Sequence, residues 1–180
     1  MTSCTTDFTL DTIDSPVGRL FAVSRGPRLC ALDFEGYEAR MTKLLQKRYG
    51  ATEIRLERNP ELRDTLAAYF DGELDRLEEI DVEMEGTTFQ KKVWRALRNI
   101  PAGTTWSYGE LAHYIGHPTA VRAVGMTNGL NPIAIVVPCH RVIGANGKLT
   151  GYAGGLERKK ALLAHEHAHH TPFTLFQKRS

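Results

Sequence analysis

A cysteine followed at once by two basic side chains, Cys139-His140-Arg141, stands after the apolar run of residues 133–137, which Asn131-Pro132 precedes and Pro138 closes. An apolar run bounded by prolines reads as a buried extended segment. It delivers a thiol beside cations, a setting that lowers a thiol pKa and raises the fraction of nucleophilic thiolate. A lone cysteine is more often a small buried hydrophobe; the adjoining His-Arg is what turns the reading toward a reactive thiol. Adjacent residues seldom aim their side chains alike, so His140 is expected to reach Cys139 through a water or a bend. A second cluster, His165-Glu166-His167-Ala168-His169, formally spells H-E-x-x-H, the zinc-protease helix motif. It has no third ligand downstream, so the metalloprotease reading is set aside and a solvated histidine cluster is expected.

The elements that position these residues fall into two sets. Residues 8–34 hold three short apolar runs separated by Ser15-Pro16-Val17-Gly18 and Gly26-Pro27, an antiparallel meander. Helical spacing follows over 38–49, a short strand is expected at 52–56, and Asn59-Pro60-Glu61 opens a second helix carrying Leu62, Leu66, Tyr69 and Phe70. After an acidic, weakly patterned stretch, Gly86-Thr87-Thr88 marks a domain boundary. The predicted domains are 1–86, a β/α scaffold, and 87–180, a mostly helical part with a mobile tail from about 168. In that second part Phe89, Val93, Leu97 and Ile100 share a helix face behind an N-cap at Thr87 or Thr88. A helix capped by Ser107 and another over residues 120–128 then form a helix-turn-helix. The second of these is poor in long side chains: Ala120, Val121, Ala123 and Gly125 surround the single cation Arg122. Such a surface suits close approach to a minor groove, with one arginine as probe.

The chain has 180 residues and a formal net charge of +2. That small number conceals an asymmetry: residues 1–88 carry 11 basic and 18 acidic side chains, residues 89–180 carry 12 and 3. The second part therefore faces a polyanion better than the first. Three cysteines are too few for a disulfide-stapled fold, the N-terminus lacks a signal-peptide pattern, and no apolar run has membrane-spanning length. A cytoplasmic protein that makes no membrane contact is expected.

Five segments together resemble one family: Ser107-Tyr108-Gly109-Glu110, Arg122-Ala123-Val124-Gly125, Asn131-Pro132, Pro138-Cys139-His140-Arg141-Val142 and Gly151-Tyr152-Ala153-Gly154-Gly155. The chain is similar, from about residue 89 to residue 166, to the O6-alkylguanine-DNA alkyltransferases, also called methylated-DNA–protein-cysteine methyltransferases. The resemblance implies an α+β fold, with a small RNase H-like N-terminal domain before the helical one. It implies that Cys139 takes an alkyl group from guanine O6, and from thymine O4, in a single irreversible turnover. His140 and Glu166 would activate the thiol through a water relay, and Asn131 would tie the turn before the apolar run to the recognition helix. Tyr108 and the backbone N–H groups of Gly151, Tyr152 and Ala153 would meet charge on the leaving base. Arg122 would fill the stack left by a flipped nucleotide.

The implied partner is alkylated double-stranded DNA, bound by a monomer without cofactor. Some members carry a serine where Ala153 stands, and some a zinc site in the N-terminal domain. Here that half offers Cys4 and Cys30 but no histidine before His113, so no metal is expected. Lys159 and Lys160 read as solvated charge or phosphate contacts. Two rivals remain: a reader of alkylated bases, whose known examples lack the cysteine, and a cysteine hydrolase built on Cys139 and His140.

Overall fold

The computed structural model describes residues 8–50 and 53–170. Cys4, the start of the strand expected at 52–56 and the tail from 171 onward lie outside the described residues. The meander forms as β1 (Phe8–Ile13), β2 (Leu20–Arg25) and β3 (Arg28–Phe34), antiparallel in sequence order. A short β4 (Ile54–Leu56) pairs parallel with β1, giving the sheet order β3-β2-β1-β4. Alternation along the strands sends Leu20 and Ala22 to one face and Phe21 and Val23 to the other. The second face is closed by α1 (Glu38–Tyr49) through Met41 and Leu45.

Asn59 caps α2 (Pro60–Phe70), its side chain accepting from the N–H of Leu62 ahead of Pro60 at the first helical position. The acidic stretch then forms a 3-10 turn at Leu74–Glu79. Thr87 opens α3 (Thr88–Leu97) with a capping box to Gln90, and Ser107 does the same for α4 (Tyr108–Tyr114) with Glu110. Helix α5 (Val121–Gly129) completes the helix-turn-helix, anchored by the Trp94 indole, which donates to the carbonyl of Thr127. The strands β5 (Trp106–Ser107) and β6 (Val142–Ile143) pair parallel, and α6 (Leu156–His169) closes the molecule.

One buried cluster runs from Leu20, Leu32 and Phe34 of the sheet through Leu66 and Tyr69 of α2 to Trp94, Val124, Val137 and Leu162. The outer edge of the sheet, β3, is used as well. The N–H of Leu32 on β3 donates to the carbonyl of Pro132, and the N–H of Ala134 donates to the carbonyl of Leu32. The N-terminal sheet thus extends itself onto the segment that carries the cysteine.

That segment corrects one expectation. Residues 133–137 are buried but not extended: the chain folds back through turns, with Ile135 at φ 68°. The turns are closed by bonds from Val137 N–H to the Ile133 carbonyl and from Cys139 N–H to the Val137 carbonyl. A β-branched residue in the left-handed region is strained by about 1–3 kcal/mol and persists only where its surroundings fix it. Here the fixing groups are β3 on one side and Asn131 on the other.

Candidate active site

Cys139 begins a 3-10 turn, Cys139–Arg141, and all three of its residues are buried. The side chain of Asn131 holds the preceding turn at both ends. Its Nδ2 donates to the Val137 carbonyl at 2.7 Å and its Oδ1 accepts from Ile133 N–H at 3.0 Å. The link to α5 is made by other groups: Asn128 Nδ2 donates to the Cys139 carbonyl at 3.4 Å, and Asn131 N–H to the Asn128 carbonyl. Asn128 was not singled out in the sequence, where it reads as one more polar residue at a helix end.

Burial pushes the Cys139 thiol up, and this outweighs the opposing Asn131 amide and the charges of Lys159 and Arg40. The neighbouring basic residues therefore do not lower it, contrary to expectation. The reason is geometric: Arg141 is turned away onto Glu166, with Nε at 3.0 Å from Oε2 and an Nη at 2.8 Å from Oε1. Burial also lowers the His140 pKa, in spite of Glu166. The resting site is thus a neutral thiol beside a neutral imidazole.

Glu166 comes from α6 and lies 2.8 Å from His140 Nε2. Burial alone would raise its carboxyl, but His140 and Arg141 outweigh it and hold the group well below the usual carboxylate range. An ionised Oε1 accepts, so Nε2 carries the proton and Nδ1 carries the lone pair. Nδ1 is buried and has no hydrogen-bond partner among the described residues. The arrangement therefore holds a base in its acceptor form at the cysteine turn. A fourth member was missed in the sequence: the Tyr69 hydroxyl, from α2, donates to the same Glu166 Oε1 at 2.8 Å. It read only as part of an apolar helix face.

Lys159 is a further correction. It is fully buried, and its Nζ donates to the carbonyls of Val142 at 2.6 Å, Thr150 at 3.1 Å and Gly151 at 3.3 Å. It pins the loop over the cysteine turn instead of meeting solvent. The signal was present, since Lys159, Leu162 and Glu166 fall on one face of α6 at i, i+3 and i+7. Lys160 is exposed and pairs with Glu157, in line with a solvated charge.

The Tyr108 hydroxyl donates to the Thr150 carbonyl at 3.2 Å, beside Gly151, Tyr152 and Ala153. The Tyr152 hydroxyl is buried without a partner among the described residues, and burial raises its pKa strongly. Gly154 packs so closely on the Phe34 ring that any side chain there would collide with it. Arg122, Val121 and Ala123 lie on the exposed face of α5, with Ala120 and Gly125 partly covered; Gly125 faces the Tyr108 ring. Met126 joins that face at 71% exposure, a long apolar side chain that had not been singled out. The helical motif H-E-x-x-H does not form a metal face: Glu166 is consumed inside, and His165 Nε2 donates to the Tyr69 carbonyl at 2.8 Å.

Known proteins resemble this chain along most of its length. The ribonuclease-like domain of the 6-O-methylguanine DNA methyltransferases matches residues 10–84, and the DNA-binding domain of the same family matches residues 88–168. The methylated-DNA–protein-cysteine methyltransferase of Mycolicibacterium paratuberculosis is 49% identical over 162 residues, covering 88% of this chain and 92% of its own length. That of Salmonella typhimurium is 49% identical over 158 residues, covering 86% and 92%. Among solved structures, Mycobacterium tuberculosis OGT in complex with DNA is 45% identical, with a TM-score of 0.76 over 89% of this chain and 94% of that one. A sheet domain joined to a helix-turn-helix, a cysteine turn held between them and similarity along nearly the whole chain lead to one assignment: the chain belongs to the 6-O-methylguanine DNA methyltransferase family.

Proposed function

We propose that the protein repairs DNA by direct reversal, moving a methyl or other alkyl group from O6 of guanine, and from O4 of thymine, to its own Cys139. Residues 1–86 act as scaffold and residues 87–180 carry the DNA-binding surface and the site. The observation that carries the reading is a buried neutral thiol beside His140, whose Glu166 contact leaves Nδ1 free to accept a proton. In the reaction the thiol proton passes to Nδ1, directly or through water, and Glu166 stabilises the imidazolium. The thiolate attacks the alkyl carbon, an S–C bond forms and the C–O6 bond breaks, its electron pair staying on the base. The Tyr108 hydroxyl and the backbone N–H groups of the 151–153 loop then meet that charge. The thioether has no route back to thiol in this site, so each molecule acts once.

The monomer meets double-stranded DNA through α5, whose small residues allow approach to the minor groove, and Arg122 occupies the stack of the flipped nucleotide. No helix among the described residues is long and apolar enough to cross a membrane, and the protein works in the cytoplasm. Incubation with duplex DNA containing O6-methylguanine should add one methyl per molecule, on the peptide holding Cys139. More than one methyl per chain, or acceptance by Cys139→Ala, would overturn the reading. Arg122→Ala should slow repair of the duplex by at least about tenfold, while reaction with free O6-benzylguanine changes by less than about threefold, because a free base needs no flipping. Equal losses on both substrates would remove Arg122 from that role.

A further inference from the structure

His165 and Glu166, adjacent on α6, are both bonded to one residue of the other domain. Tyr69 grips α6 twice: its carbonyl accepts from His165 Nε2 at 2.8 Å, and its hydroxyl donates to Glu166 Oε1 at 2.8 Å. The ring is fully buried, stacked edge-on against Phe70 and His165 with centroids 5.0 Å away in each case. An apolar anchor would need only the ring. The hydroxyl is spent on the one carboxylate oxygen that also contacts His140.

We propose that Tyr69 is a positioning residue for the Cys139 reaction, lent by the ribonuclease-like domain, which sets the basicity of His140 by sharing Glu166 Oε1 with it. The inference rests on the alkyl-transfer reading above. Its chemistry is a competition for one oxygen. Oε1 accepts from Tyr69, from His140 and from Arg141. Each donor withdraws charge from it, so the Tyr69 O–H weakens the pull of Oε1 on the Nε2 proton. Without that hydroxyl the carboxylate holds an imidazolium more strongly, and His140 protonates at higher pH. Protonated His140 cannot accept the thiol proton, so alkyl transfer would fail earlier on the acid side.

The other groups facing this pair are accounted for. Lys159, also on α6, and Arg141, on the cysteine turn itself, oppose a charge on His140. Cys139 is the proton donor of the reaction, and Tyr152, on the loop, is sensitive to charge on Cys139, Tyr69, Asp33 and Glu166. The Tyr69 hydroxyl is bonded to Glu166 Oε1 and to none of these groups. Tyr69→Phe keeps the ring, its packing and the carbonyl bond to His165, and leaves Oε1 with two donors.

The experiment is the single-turnover rate of Cys139 benzylation by free O6-benzylguanine against pH, in the full chain, for wild type and Tyr69→Phe. The acid limb of the variant should lie about half a pH unit or more to the alkaline side, so that rates well below the midpoint fall about threefold. Superimposed limbs would overturn the inference, as would a loss of rate by one factor at every pH, which is what a purely structural role gives. Incorporation of 3-fluorotyrosine at position 69, a stronger donor in an unchanged shape, supplies the opposite sign and covers the case in which Tyr69→Phe does not fold. Its limb should move to the acid side, and a limb that stays put or moves the other way refutes the proposal. Wild-type protein that gains no benzyl group at Cys139 would refute the alkyl-transfer reading, a result distinct from any of these.

Discussion

Both halves of the molecule bury charge, but in different company. In the N-terminal domain each buried carboxylate is met by an arginine that reaches out to solvent: Asp11 by Arg63, Asp33 by Arg40 and Glu83 by Arg25, with the arginine side chains 24–34% exposed. At the cysteine, Glu166, His140 and Arg141 are all within 7% of complete burial. Water screens the first kind of pair, so its members stitch elements together at small net gain. Nothing screens the second. It costs folding energy to assemble, and in return every change of protonation inside it is felt by the neighbouring groups. The proposed alkyl transfer, which needs a base ready beside a neutral thiol, calls for the second kind, and a scaffold needs only the first.

The sharpest way to break that contrast is Glu166→Gln. The amide leaves the Arg141 guanidinium buried without an anion, which should cost about 3–5 kcal/mol of stability. It also removes the charge that stabilises protonated His140, so benzylation of Cys139 should slow by about 10²-fold or more. Denaturant unfolding and single-turnover kinetics on the same sample measure both. A variant with small losses in each would make the central cluster no different from a peripheral pair.

How much of this was legible beforehand follows the same division. Local signals were read directly: the turns between strands, the caps at Asn59, Thr87 and Ser107, and the helix-turn-helix. So was the cysteine beside His140, because those residues are contiguous. What was misread depends on partners distant in sequence. The apolar run at 133–137 fits a strand as well as a buried turn, and only the bonds from β3 and Asn131 select the turn. A thiol flanked by cations reads as acidic until Arg141 is seen to spend its charge 25 residues away on Glu166. The pairing of Tyr69 with Glu166 spans 97 residues, and nothing in the periodicity of α2 separates it from an ordinary core tyrosine.

Arg40 forms a pair of the first kind but also reaches the backbone before the cysteine turn, and should show an intermediate effect. It pairs with Asp33 at 2.7 Å and donates to the carbonyls of Gly129 and Asn131 at 2.8 and 3.0 Å, which joins α1 to the end of α5. Burial already raises the Asp33 carboxyl, with Arg40 opposing. Arg40→Ala should therefore cost about 1–3 kcal/mol at neutral pH, where Asp33 is left charged and unpaired. The deficit should shrink as the pH falls through the raised Asp33 value, since a protonated carboxyl no longer needs the cation. A deficit independent of pH would assign the loss to the two carbonyls alone.

The smallest effect belongs to Arg63, which clasps Asp11 through two bonds at 2.6 and 2.8 Å near the sheet edge. Burial pushes the Asp11 carboxyl up, but Arg63 and the N–H of Asn59 outweigh it, and the net shift is downward. A carboxyl depressed by folding contributes stability that is present above its unfolded value, near 3.9, and is lost as the pH falls through the folded one. Arg63→Ala should thus lower Tm by only about 2 °C at pH 7. The two melting curves should converge as the pH is brought down from 4 toward 2. Benzylation of Cys139 should proceed within about twofold of the wild-type rate, because no step of proton transfer reaches this pair. A large kinetic loss in Arg63→Ala would mean that the peripheral pairs are wired to the thiol after all, and that the separation between a screened scaffold and an unscreened site does not hold.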